Sequence, residues 1–451
     1  MINIHTHIFT LNHVPRRFIP LQWLFARKGR FRTLWIFLLY VVSGLPRLTL
    51  RRRADGPAGR PTDGRADGRK RYNHEESIRR RMAFWMGWWH PRNPNRKSTR
   101  MALFLLRGGR PSQADILKEL MGYYPSGTRF AVHTIDFDYM GAGGFTESSG
   151  NPRSTTTHAK LAAPDKTKPE TGATNNFMGQ LEELARLKAT NEFGPILLPF
   201  FCADPRRPDV TELAQEYLMN KGFAGIKLYP AMGFYPGDSR LMPLWEWAAQ
   251  KGVPVMVHCS RNGPVYGRIK GSGGLVHPVT REPLRQTSLR QWAERYGHPL
   301  EYEPLLQRFE GLKICFSHFG GEADCLEIYR EGGQPHDNWF SHICRLMKNY
   351  SGVYADISFS LANPDLMAFF HVAAQHRTEA QPDNPYSEVD NRYSMADKIL
   401  FGSDFYMSEL KRNERWFSIN VRAMMGEESF HRIASINPSR FLEWKRRIPA
   451  K

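Results

Sequence analysis

With 451 residues the chain is long enough to bury a large core, as one extended α/β domain or two smaller ones. Its formal charge of +19 suggests a polyanion-binding protein, but residues 12–110 hold 24 Lys and Arg against 5 Asp and Glu, leaving 39 of each elsewhere, so a chain-wide basic surface is excluded. Cys202, Cys259, Cys315, Cys325 and Cys344 are odd in number and form no C-x-x-C pair, which excludes a complete disulfide framework and a thiolate zinc site and implies reduced, cytoplasmic thiols.

The chain opens on "MINIHTHIFT", which reads as a strand and lacks the basic region and cleavage site of a secretory leader. In a strand, residues i and i+2 share a face, so His5 and His7 present two imidazoles side by side. Residues 12–112 follow as a basic insertion, aromatic at both ends ("MAFWMGWWH" near the second), with "RRRADGPAGRPTDGRADGRKRYN" between them too poor in apolar residues to pack, so that disorder is expected there. Its apolar run "TLWIFLLYVVSGLP" covers 14 residues, short of the ~20 that cross a bilayer. That run fits a helix over a protein surface or an interfacial anchor.

From about residue 128 onward, β-rich apolar runs alternate with helical patterns. The runs are "RFAVHTIDF", "PILLPFF", "AGIKLYP", "VPVMVHC", "LKICFSHF", "GVYADISF" and "KILFGSDF", and the opening strand makes eight. Stretches such as "MGQLEELARLKA", "DVTELAQEYLMNKG" and "LMPLWEWAAQKG" carry apolar residues three and four apart, as amphipathic helices do. A second polar stretch, "SSGNPRSTTTHAKLAAPDKTKPETGATNN", follows the second run. The pattern predicts a single (β/α)₈ TIM-barrel domain over 1–451 with a large insertion after the first strand; a doubly wound sheet is the rival, but no Gly-rich phosphate turn follows that strand.

Barrel strands are apolar until their C-terminal ends, where side chains reach the active-site face. There the sequence places His5 and His7 on the first run, Lys227 on the fourth, His258 on the fifth, His318 on the sixth and Asp404 on the eighth. Neutral imidazoles and a carboxylate are the ligands zinc takes in a catalytic site, and His5, His7, His258 and Asp404 supply such a shell. Lys227 fits a partner for a substrate acid or a neighbouring carboxylate, and Arg261, in "HCSRNG", fits a clamp on an anionic substrate group or a solvated loop residue.

His-x-His in the first run, "VMVHCS", "CFSHFGG", "ILFGSDF" and the closing "IASINPSRFLEW", in that order, resemble the amidohydrolase superfamily, in particular the branch that includes aminocarboxymuconate semialdehyde decarboxylase and related metal-dependent hydrolases. The resemblance implies a divalent ion, zinc before others, on His5, His7, His258 and Asp404, with room for a second. It makes His318 a catalytic or supporting histidine, and raises carboxylation of Lys227 to bridge two ions as an alternative to the free amine. The expected chemistry is hydrolysis of a C–N, C–O or ester-type bond of a small molecule by activated water, with Asp404 carrying the proton and His318 facing the oxyanion. Non-oxidative decarboxylation on the same shell is the alternative. A metal-dependent nuclease would explain the basic segment, but such barrels carry a glutamate where "GIKLYP" has Lys227, so nucleic acid is disfavoured as a partner; a non-catalytic docking protein would have no use for the ligand set. The insertion is expected to cap the barrel mouth with its apolar ends or to attach a cytoplasmic enzyme peripherally to an anionic membrane. Self-association is compatible with either.

Overall fold

Each of the eight β-rich runs forms a strand: β1 Ile2–Thr6, β2 Arg129–His133, β3 Leu197–Cys202, β4 Gly225–Leu228, β5 Pro254–Ser260, β6 Lys313–Gly320, β7 Val353–Asp356 and β8 Ile399–Leu400. They pair in parallel in sequence order, β1 to β8. Although β8 is short, Ile4 N donates to the Phe401 carbonyl (2.9 Å) and Asp404 N to the His5 carbonyl (2.8 Å), so the run that ends in Asp404 lies along β1 and brings the sheet round into a barrel. The computed structural model describes residues 1–14, 97–139, 176–261, 288–331, 337–375 and 395–444. Most of the insertion, with the apolar run at 33–46 and the Gly/Pro/Arg stretch, and most of the polar stretch after β2 lie outside these residues.

Helices fill the connections: α1 Lys97–Gly108, α2 Gln113–Met121, α3 Asn176–Lys188, α4 Val210–Asn220, α5 Met242–Lys251, α6 Leu289–Gly297, α7 Glu303–Arg308, α8 Glu322–Glu331, α9 Trp339–Asn349, α10 Pro364–Gln375, α11 Glu414–Met425, α12 Glu427–His431 and α13 Asn437–Leu442. Their starts carry the expected signals. Ser112 accepts from Asp115 N at the start of α2, Ser288 and Gln291 form a reciprocal cap on α6, and Asn338 accepts from Ser341 N on α9. No helix among the described residues is long and apolar enough to cross a membrane.

Two apolar layers result. The larger lies between the strands and the surrounding helices. The smaller fills the barrel floor with Ile2, Ile4, Ala131, Phe200, Met256, Cys315 and Leu400, and Phe441 of α13 plugs it from below. Truncating a buried phenylalanine of this kind costs about 3–5 kcal/mol. Because the side-chain period is two, residues one step beyond the floor point inward one layer higher: His133 after Ala131, His258 after Met256, Ser317 after Cys315. The apolar floor therefore sits beneath a polar layer. The last turn of the insertion packs beside this end, where Arg107 and Arg100 of α1 face the buried Glu409 at 2.5 and 3.8 Å.

Candidate metal centre

Asp404 and the first two histidines converge. His5 Nε2 lies 3.6 Å and His7 Nε2 3.4 Å from the same oxygen, Asp404 Oδ1, and all three side chains are buried. Close approach of β8 to β1 depends on Gly402, where a Cβ would stand 2.7 Å from the Cβ of His5. Asp404 itself is held at φ +60° and His318 at φ +64°, left-handed conformations that cost a non-glycine residue about 1–3 kcal/mol and persist only where surrounding structure imposes them.

The protons of these rings can be placed from their bonds. His7 Nδ1 lies 3.0 Å from the His133 carbonyl, an acceptor only, so Nδ1 carries the proton and donates. His5 Nδ1 lies 2.9 Å from Asp356 Oδ2 and donates there. Ser358 is the hub of the remainder: its hydroxyl donates to Asp356 Oδ1, which leaves Ser358 Oγ to accept from His5 Nδ1 and His318 Nδ1, each at 3.0 Å. His318 Nδ1 also lies 3.3 Å from the Ser358 carbonyl. The bare Nε2 of His318 then accepts from His258 Nδ1 at 3.3 Å, and His258 Nε2 has no hydrogen-bond partner. Asp356 is fixed in turn by the backbone N–H groups of His318 (3.1 Å) and Ser358 (2.9 Å).

One network rooted on Asp356 and Ser358 thus leaves lone pairs, not protons, on the Nε2 atoms of His5 and His258, and the His133 carbonyl does the same for His7. Two bare nitrogens facing one carboxylate oxygen repel unless a cation lies among them. Protonation is not the remedy, because burial first, and the neighbouring charge of Lys227 second, push the His5 imidazole well below its ordinary range. Burial and His318 do the same to His258. The donors, their tautomers and their second partners all fit a divalent ion.

The expected site residues divide into two groups. His5, His7 and Asp404 meet directly; His258 faces His318 on one side and lies 4.1 Å from the Tyr229 ring at a 37° tilt, its Nε2 without a hydrogen-bond partner. Lys227 is fully buried, donates to Ser317 Oγ at 3.2 Å, and is pushed down to about 8 by burial, against the opposing pull of Asp356 and Asp404. Arg261 points elsewhere: it donates to Asp337 Oδ2 (3.0 Å), lies 3.6 Å from Asp324 Oδ1 and covers the Trp339 ring. Three inward residues went unassigned from the sequence: His133, Asp356 and Ser358. His133 and Asp356 end β2 and β7 and Ser358 lies just beyond β7, so the strand-end rule that points to His258 also covers them.

A model of the family described as Amidohydrolase matches residues 153–444. No curated protein matches the chain. Among solved structures, a TIM-barrel protein of Bordetella bronchiseptica is 15% identical over 75% of this chain and 84% of that one, with a TM-score of 0.42. A 2,6-dihydroxybenzoate decarboxylase from Rhizobium is 14% identical (73% and 87% covered, TM-score 0.42). A 5-carboxyvanillate decarboxylase from Sphingomonas paucimobilis is 13% identical (73% and 82%, TM-score 0.38).

Proposed function

Since this chain belongs to the amidohydrolase family, we propose that it is a metal-dependent hydrolase of a small molecule, with His5, His7, His258 and Asp404 holding a divalent ion, zinc before others. The observation that carries this reading is the pair of Nε2 atoms turned without protons toward Asp404 Oδ1. A bound divalent ion supplies a water of lowered pKa and polarises a carbonyl or phosphoryl oxygen. The residues do the rest. Asp404 takes the proton of the attacking water and returns it to the leaving group. His318 acts through His258, whose ring it orients. Lys227 balances the charge of Asp356 and Asp404 from within the barrel. Arg261, at the end of β5, is engaged by Asp324 and Asp337 and holds that end against α8 and the start of α9.

The test is elemental analysis of the full chain with chelator controls: about one divalent ion per chain, lost in His5→Ala, and turnover that disappears with the ion and returns on its readdition. A stoichiometric absence of metal overturns the reading. Screening amides, lactones, phosphoesters and aromatic carboxylates against metal-loaded protein then identifies the bond; release of carbon dioxide from the last class without net uptake of water replaces hydrolysis by decarboxylation on the same residues.

A further inference from the structure

His133 is the one imidazole of this layer whose ring has no hydrogen bond among the described residues. It is 1% exposed, and neither Nδ1 nor Nε2 has a partner. The four neighbouring histidines have their Nδ1 atoms engaged as described, so the contrast is specific to this ring. Its neighbours are rings: His5 at 4.4 Å between centroids and 31° between planes, Phe200 at 4.9 Å, and His7 edge-on at 5.8 Å and 89°. A phenylalanine would satisfy such surroundings without burying a donor and an acceptor that nothing meets, and buried polar groups are satisfied almost without exception. One ligand atom each of His5, His7 and His133 lies within 4.8 Å of the others, so the unpartnered ring borders the two histidines that face Asp404.

We infer that His133 is a further ligand of the ion that His5 and His7 hold, so that the centre is built on β2 as well as on β1, β5 and β8. The residue serves twice. Its backbone carbonyl fixes the tautomer of His7, and its ring completes the cluster that this tautomer opens. Neither ring nitrogen has a protein partner among the described residues, so a lone pair of this ring is available to a cation. The inference rests on the metal-binding reading above, and the experiment separates the two.

Chelator-stripped full-length protein is titrated with zinc alone and with cobalt alone, alongside His133→Gln, His133→Phe and, as reference, His7→Gln. We expect zinc affinity to fall at least about tenfold in both His133 variants, the scale set by weakening a metal site's supporting partners. The visible spectrum of the cobalt form should change in both, and the metal-free His133→Phe protein should melt no lower than the parent. X-ray absorption of the zinc-loaded parent should count four imidazoles, falling by one in His133→Gln. The inference is overturned if the parent shows three imidazoles and both variants bind zinc within about twofold of it, inside the spread expected for an indirect contact, with an unchanged cobalt spectrum. Should neither variant fold, the imidazole count of the parent decides alone. If His7→Gln loses the ion and the His133 variants keep it, only this inference falls; if the parent itself holds no zinc, the metal-binding reading falls first.

Discussion

Among the described residues, two places set a pair of histidines against a single aspartate oxygen, and they do opposite things with it. At the barrel mouth His5 and His7 face Asp404; on the flank, His298 Nε2 and His342 Nε2 face Asp337 Oδ1 at 3.0 and 3.2 Å. The flank distances are shorter, and by composition the flank is the better-formed triad. Its protons tell otherwise. His298 Nδ1 accepts from Leu300 N at 3.2 Å, so Nε2 must carry the hydrogen and donate it to Asp337, and that ring keeps no nitrogen lone pair for an ion. The carboxylate also receives Arg261. At the mouth, each Nδ1 donates away from the aspartate and each Nε2 is left bare. What sets the proposed metal centre apart from the charge clamp is therefore the group behind the His5 and His7 rings, not the rings and carboxylate themselves.

The comparison breaks most severely at Asp404. Asp404→Asn keeps a side chain of the same shape but one that carries no proton, and turnover should fall by about 10²–10⁴ with the fold retained; circular dichroism and initial rates under saturating metal report both. A parent-like rate would remove Asp404 from the chemistry. Next comes the support behind the rings. Asp356→Asn and Ser358→Ala remove acceptors for the Nδ1 protons of His5 and His318, so metal affinity should drop about 10–100-fold while His7, held by a backbone carbonyl, keeps its orientation. Chelator competition measures this, and unchanged affinity would mean that these tautomers are set by something else. The smallest effects belong to the flank. Asp337→Ala should leave metal content and KM as in the parent and lower stability by about 0–1 kcal/mol, the range of partly exposed ion pairs. Arg261→Ala should likewise act on thermal melting before KM, since its guanidinium is taken by Asp324 and Asp337. A raised KM with unaltered melting would return it to the substrate.

Much of this was legible in the amino-acid order. The eight apolar runs, their spacing by amphipathic helices and the polar residues toward the ends of all but "PILLPFF" point to the barrel and to His5, His7, His258 and Asp404 as candidates, because strand period and burial act locally along the chain. Asp356, Ser358 and His133 lie within equally visible runs, at or just beyond the ends of β7 and β2. Their contribution depends on which neighbour each ring nitrogen meets across β1, β2, β6 and β7, and no one-dimensional spacing encodes that. Lys227 was conspicuous as a charge inside "GIKLYP", yet only the three-dimensional arrangement sets it against Ser317 in the barrel interior, away from solvent. Arg261 shows the reverse, a residue well placed in sequence that the fold turns toward other carboxylates.

The seam between the first and last strands has a consequence for how the protein is made. Asn3 binds Ser403 through its amide at 2.9 Å, a contact between residues 400 positions apart, and the same seam joins His5 to Asp404. On the ribosome the two histidines emerge with β1 and wait until the seven further strands have been synthesised before their carboxylate arrives. Loading of the proposed ion is then a late event, and a chain arrested anywhere before the eighth strand holds His5 and His7 without the carboxylate that faces them.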